Sequence, residues 1–251
     1  MAGDLHECLR VRPANLPAVP AFRVAYSGGI DSHVLLHLLK TSSPRSIISA
    51  VHIHHGLQSN ADGWAQHCED VCQNLDIPCQ VIRVNVSQDK GASLEESARK
   101  ARYVAFADLL DPNEILCMAH HADDQAETVL LRMLKGAGPN GLAGMPATRQ
   151  LGNGWLWRPL LTQPRETLVA YANQHKLRWI EDTSNTDTRF DRNFLRQNIL
   201  PTLKERWPGL LQTFNRTAAH QQQTSEMLKQ LGELDWQQCR QGNQLSIPEL
   251  H

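Results

Sequence analysis

The sequence has no apolar run near the roughly 20 residues that span a bilayer, which argues against a membrane protein. Its first residues, Met1-Ala-Gly-Asp-Leu-His-Glu7, carry neither the basic start nor the apolar stretch of a secretory leader. Six cysteines (Cys8, Cys68, Cys72, Cys79, Cys117 and Cys239) lie scattered, none in the Cys-x-x-Cys spacing of a metal or redox pair. Free thiols of a cytoplasmic protein are the expectation. A basic excess is missing too. With 25 Lys and Arg against 26 Asp and Glu, the formal net charge is −1, so nucleic acid cannot be gripped by charge over the whole surface. Any such contact needs a local patch. The densest candidate, Arg178, Arg189, Arg192, Arg196, Lys204 and Arg206, competes with the ordinary reading of a solvated helix face. No internal repeat or low-complexity segment is present.

What is there, 41% hydrophobic and 20% charged residues over 251 positions, suits one sizeable α/β domain with a smaller appendage. Strand-like segments at Phe22–Tyr26, Ile47–His54, Cys79–Val86 and Ile115–Ala119 alternate with helix-like ones from near Ser32, at Ala61–Leu75, from Ser93 to about Leu110 and at Ala122–Lys135. Ser93-Leu-Glu-Glu96 has the form of a capping box. Such alternation predicts a parallel sheet with helices on both faces, followed here by a helical C-terminal segment. Glycines and prolines from Gly136 to Pro146 predict a long loop, and Pro164 a helix start. A domain over 1–207 and a helical segment over 208–251 are expected.

Polar clusters follow three of the predicted strands: Ser27 to Ser32, His52 to His55, and His120 to Glu127. In parallel sheets ligands sit beyond the carboxyl ends of strands, so these clusters predict one site. Ser27-Gly28-Gly29-Ile30-Asp31-Ser32 lies between a strand and a helix, where backbone N–H groups and the helix dipole favour an anion. Paired glycines allow close approach of phosphate oxygens, and the serine hydroxyls add donors. Asp31 would repel phosphate directly and makes sense as a ligand to Mg²⁺. The loop is neither a Walker A sequence nor a Rossmann Gly-x-Gly-x-x-Gly; the rival is a plain turn capped by Ser and Asp. On the helix after the fourth strand, Asp124 and Glu127 are three apart and share a face. Two carboxylates there suit a cation, either Mg²⁺ or an ammonium, against the alternative that the helix dipole alone enriches acids at its start.

Ser-Gly-Gly-x-Asp-Ser resembles the loop of the N-type ATP pyrophosphatases, and Ala119-His-His-Ala-Asp-Asp-Gln-Ala-Glu-Thr128 resembles the motif of the tRNA(Ile)-lysidine synthetase family. Further pieces agree in order: Val51-His-Ile-His-His-Gly-Leu57 with His55, the helix carrying Arg99, Arg102 and Tyr103, Gly136 to Met145, Arg158-Pro-Leu-Leu161, Glu181-Asp-Thr-Ser-Asn185, and Arg192-Asn193 with Arg196. The resemblance implies a two-step reaction using ATP and Mg²⁺. The C2 oxygen of a wobble cytidine, in a tRNA(Ile) with a CAU anticodon, is adenylated, and the ε-amine of free L-lysine then displaces AMP. It implies that the 27–32 loop and His55 bind the nucleotide and that Asp31 holds the metal. Asp124 and Glu127 would hold the lysine ammonium, Arg99 and Arg196 phosphate or adenylate, and His120 the adenylate or a moving proton.

Gln58 stands where the family usually has Arg, and the family continues into further domains that grip tRNA, so the chain is expected to be a fragment that binds ATP but is impaired in tRNA selection. A homodimer is left open. The rival readings are a tRNA thiolase, a nucleotide-binding module without chemistry, and, for His52, His54 and His55, a zinc cluster. Arg99 or Arg102 could instead pair with Glu95 and Glu96, and Trp155, Trp157 and Trp179 could stack on bases, though core packing suits isolated aromatics better.

Overall fold

A computed structural model of the chain describes residues 5–18, 21–43, 46–56, 58, 60–86, 94–182, 186–241 and 244–245. Its strands are β1 (Ala21–Ala25), β2 (Ile48–His54), β3 (Cys79–Arg83), β4 (Glu114–Cys117), β5 (Thr148–Leu151), β6 (Gly154–Trp157), β7 (Arg240–Gln241) and β8 (Gln244–Leu245). The helices are α1 (Glu7–Arg10), α2 (Ile30–Ser42), α3 (Ala61–Asn74), α4 (Leu94–Leu109), α5 (Ala122–Leu134), α6 (Pro139–Leu142), α7 (Arg165–Gln174), α8 (Asp191–Phe194), α9 (Leu200–Arg206) and α10 (Leu210–Cys239), with a π-helical stretch at Leu195–Ile199. Among the described residues no helix is long and apolar enough to cross a membrane. Ser93, Leu57, Thr183 to Asn185 and the side chain of Glu95 lie outside the described set, so the capping box is not tested.

Contacts sort the chain into two compact units, Met1–Asp124 with Ala147–Asp187, and Gln125–Pro146 with Thr188–His251. The first holds a sheet in the order β3-β2-β1-β4-β6-β5, parallel except for the β5–β6 pair. The predicted α/β architecture is therefore present. Alternation along the strands deals side chains to two cores. Phe22, Val24, Ile115, Cys117 and Trp157 face one, with α2 and α7; Val51, Ile53, Leu116 and Leu156 face the other, with Phe106 and Leu110 of α4 or just past it. Helix α2 is buried almost all round: Val34, Leu35, Leu36, Leu38 and Leu39 are inaccessible to solvent. That is the signature of a helix inside a layered fold and not of a one-sided surface helix. Each such leucine contributes about 1.5–3 kcal/mol by burial.

The β5–β6 hairpin is absent from the sequence-based expectation, which assigns no strand between Gly136 and Pro164. Gly152 turns it with φ +56°, and a Cβ at that position would stand 2.1 Å from the carbonyl oxygen of Ala107. Glycine is obligatory there. Trp157 is buried in the core, with Trp155 and Trp179 packed against it, so these tryptophans serve packing and not base stacking.

In the second unit, α10 packs on α6. Gln222 Nε2 donates to the carbonyls of Ala143 (2.8 Å) and Met145 (3.4 Å). Arg132 Nη1 donates to the carbonyls of Gly141 (2.8 Å) and Gly144 (2.9 Å). The glycine-rich segment is thus a held turn. These ties explain why compactness does not divide the chain at 207/208: residues 125–146 group with the C-terminal helices.

Candidate functional site

Strand order in the first unit reverses at β1. The chain steps outward from β1 to β2 to β3, then crosses back to β4 on the other side. The loops leaving β1 and β4 therefore part from each other, opening the crevice in which open α/β sheets bind ligands. Two of the predicted polar clusters leave from these two neighbours and the third from β2 alongside, so all three meet at one edge.

The loop after β1 is shaped by its own side chains. Ser32 Oγ donates to the Gly29 carbonyl (3.0 Å), lies 3.1 Å from Ser27 Oγ and accepts from the Ser27 N–H (3.2 Å). Ser32 is buried, and its hydroxyl braces the loop. Gly28 has φ +83°, and a Cβ there would meet Ile180 Cδ1 at 2.8 Å and Cys68 Sγ at 3.2 Å. Gly29 is the N-cap of α2 and supplies no side-chain cap. The first N–H groups of α2 are therefore available to an anion.

At the β4 end, His121 is 1% exposed and joins three carboxylates. Its Nε2 lies 3.7 Å from Asp31 Oδ2 and 3.4 Å from Asp124 Oδ2, and its Nδ1 lies 3.7 Å from Asp123 Oδ2. The Asp124 N–H donates to Nδ1 (3.4 Å), so the neutral form of the ring carries its proton on Nε2, between Asp31 and Asp124. The His121 N–H donates back to Asp124 Oδ2 (3.1 Å). Burial opposes a charged ring, but the bond to Asp31 and the charges of Asp124, Asp31 and Asp123 outweigh it, holding the His121 pKa above its ordinary value. Arg165 closes the group, its N–H donating to Asp123 (2.8 Å) and its Nε 3.9 Å from Asp31 Oδ1.

A cavity of about 510 Å³ opens beside this group, lined by Asp31, Trp64, Arg102, Ile180, His55 and His120 among others. His55 Nδ1 is buried and meets no hydrogen-bond partner among the described residues. Burial, then the charge of Arg102, push the His55 pKa down to about 4, so it offers a neutral ring to the cavity. His120 is driven down to about 3, by burial first and Arg158 second. Arg102 lines the cavity, whereas Arg99 stands over the ring of Tyr103, 5.2 Å from its centre. Gln58, at the position where Arg was expected, donates to Asp182 at 3.3 Å.

The second unit holds the remaining predicted residues, Glu127 and Arg196, and pairs them with each other. Glu127 is fully buried, and Arg196 grips it with two parallel bonds, Nε to Oε1 at 2.6 Å and Nη2 to Oε2 at 2.9 Å. Arg192 Nε lies 3.6 Å from Oε2, and its Nη2 donates to Thr128 (2.9 Å). Asp124 and Glu127 are thus no matched pair. A buried carboxylate needs a partner, and the guanidinium of Arg196 already supplies the charge that lysine's ammonium was expected to bring. By the same bond Arg196 is engaged with a carboxylate.

His52 and His54 are engaged with groups other than each other. His52 Nδ1 donates to the Tyr26 carbonyl (2.9 Å) and His54 Nε2 lies 3.1 Å from Asp62; among the described residues no three His, Cys, Asp or Glu side chains are set to hold a metal by themselves. Sequence reasoning missed His121, Arg158, Arg165 and Arg192 as members of these networks. Three of them stand inside or beside motifs it had marked, but adjacency in sequence does not say which of two histidines turns inward.

The PP-loop domain family model matches residues 11–203. The tRNA(Ile)-lysidine synthase of Xanthomonas axonopodis pv. citri is 51% identical over 220 residues, 86% of this chain and 50% of that protein. That of Pseudomonas aeruginosa is 50% identical over 229 residues, 90% and 51% of the two chains. That of Alkalilimnicola ehrlichii is 48% identical over 246 residues, 97% and 55%. The chain spans about half the length of the curated relatives it matches. Among solved structures, the U34-tRNA thiolase NcsA from Methanococcus maripaludis superposes with a TM-score of 0.71 at 15% identity, covering 86% of this chain and 76% of that one. NMN synthetase from Francisella tularensis gives 0.51, also at 15% identity, over 88% and 93%. These two likenesses speak to the fold.

Proposed function

The chain belongs to the PP-loop domain family, and from that premise we propose that it is the adenylating part of a tRNA(Ile)-lysidine synthetase working in the cytoplasm. Support comes from one observation above all: Asp31 and Asp124 converge on His121 where the sheet's strand order reverses, beside an uncapped helix start.

In this reading ATP lies in the cavity with its base toward His55 and its phosphates against the 27–32 loop. The C2 oxygen of a wobble cytidine, in a tRNA(Ile) with a CAU anticodon, attacks the α-phosphorus; the new P–O bond forms as the bond to the β-phosphate breaks and pyrophosphate departs. Lysine's ε-ammonium then gives a proton to Asp124, because only the neutral amine is a nucleophile. Its nitrogen bonds C2 as the C2–O bond breaks, and AMP leaves with that electron pair. Glu127, held by Arg196, keeps its own unit in order instead of binding lysine.

The donor set fits Mg²⁺: Asp31 Oδ1 has no hydrogen-bond partner among the described residues, and hard oxygen ligands completed by phosphate oxygens are what this ion takes. Asp31 would hold it, and the ion would offset charge on the departing pyrophosphate. Asp31 otherwise stays oriented through His121 and Arg165. A thiolase reading finds no cysteine among the residues lining the cavity.

The test supplies the chain with Mg²⁺, ATP, labelled lysine and a CAU-anticodon tRNA(Ile). At tRNA concentrations high enough to offset the impaired selection expected of a fragment, label should enter the tRNA. Bound ATP with no label in tRNA, or sulfur entering in place of lysine, would end the proposal.

A further inference from the structure

The family resemblance leaves His120 as either a ligand of the adenylate or a proton carrier, and its neighbours bear on the choice. Arg158 is 3% exposed, just past β6, and its Nε donates to His120 Nδ1 at 3.1 Å. Its Nη2 donates to the hydroxyl of Tyr103 at 3.4 Å. The Tyr103 ring is flanked by Arg99 at 5.2 Å and Arg149 at 5.1 Å, and its hydroxyl donates to Met118 Sδ at 3.6 Å. Arg158 thus leans on a side chain that is itself fixed from several directions.

A guanidinium only donates. His120 Nδ1 facing Arg158 Nε must therefore accept, and the ring's one proton must sit on Nε2. An imidazolium would oppose N–H to N–H at that contact. We propose that Arg158 is a positioning residue that holds His120 as the neutral Nε2–H tautomer, making His120 a hydrogen-bond donor to an anionic oxygen of the adenylation centre and not its proton acceptor. The role follows from two facts of geometry: Nδ1 is occupied by Arg158, and His120 lines the cavity beside Asp31. Burial first, then the charges of Arg158, Arg102 and Arg99, outweigh the opposing charge of Asp124 and hold the ring neutral at working pH. As the α-phosphorus is attacked, negative charge grows on its oxygens, and a fixed N–H aimed there stabilises it without any proton changing hands. The inference rests on the adenylation reading for the identity of that oxygen, but the tautomer itself does not.

Long-range ¹H–¹⁵N NMR of the histidine-labelled 251-residue chain reads the tautomer directly. The His120 signals, assigned by their loss in His120→Gln, should show a bare Nδ1 and a protonated Nε2, unchanged from pH 8 to pH 5. A protonated Nδ1, or a ring titrating between about pH 6 and 7 like an ordinary histidine, overturns the proposal. Arg158→Met should release the ring to a tautomer mixture while circular dichroism stays native; Arg158→Lys, which keeps a donor, should retain the fixed tautomer even if Arg158→Met fails to fold. In pyrophosphate release with tRNA, His120→Gln keeps an N–H near the Nε2 position and His120→Glu does not. The Glu variant should lose about 10²-fold in kcat, the Gln variant markedly less, with KM for ATP little changed in both. Equal losses, or better activity in Glu, refute the donor role. Absence of pyrophosphate release by the unmodified chain refutes the adenylation reading alone, since the NMR still decides the tautomer.

Discussion

Asp124 and Glu127 stand one helical turn apart in α5, yet their partners give them different consequences on mutation. Asp124→Ala should abolish lysine transfer while Mg²⁺–ATP still binds, measured by calorimetry beside the label assay; loss of nucleotide binding instead would contradict the assignment of Asp124 to the amine. Arg196→Ala should act on stability. It strips a fully buried carboxylate of its two-bond partner, costing about 3 kcal/mol, the low end for breaking a buried pair because Arg192 stays near. Adding Glu127→Gln should recover part of that loss in urea unfolding, because a neutral amide is cheaper to leave unpaired. A double variant as unstable as the sum of the two singles would contradict the pairing.

At the scale of elements, what was legible in the sequence is what depends on neighbours in the chain. The strand, paired glycines and helix around Ser27 to Ser32 are specified locally, and so is the alternation that sets up a parallel sheet. The β5–β6 hairpin was not legible. Its strands are four residues each, and what holds them is the edge of β4 and the back of α4, far away in sequence. The Glu127–Arg196 bond joins residues 69 apart, and no local pattern announces it. His120 and His121 are adjacent in sequence but take opposite protonation behaviour, because one faces Arg158 and the other three carboxylates. Gly152→Ala tests the hairpin: with the Ala107 carbonyl at 2.1 Å from the new Cβ and a positive φ, the variant should lose more than the roughly 1 kcal/mol of an ordinary glycine replacement. A thermal midpoint equal to that of the parent would show the turn to be looser than described.

For the molecule as a whole, buried and half-buried histidines set the acid limit. His33 and His55 are pushed down to about 4 and His120 to about 3, with His37 and His52 also lowered, in each case by burial before any other cause. A ring whose folded pKa lies below its unfolded value of about 6.5 adds stability that is full above that value and is lost as pH falls toward the folded pKa. His121, raised, works the other way; five lowered rings against one raised ring give the net sign. The thermal midpoint should therefore drop by several degrees between pH 7 and pH 5. A midpoint that holds or rises over that interval would contradict the neutral state of these rings.

The central claim is that ATP bound at the β1 loop adenylates a base, with Asp124 reserved for the amine that follows. Mass spectrometry of the tRNA(Ile) after incubation with the chain, ATP and Mg²⁺, lysine withheld, tests this most directly. The account predicts AMP joined to the wobble cytidine, replaced by lysine when that amino acid is added. Unmodified tRNA, in a mixture where ATP is bound and lysine is absent, would contradict it.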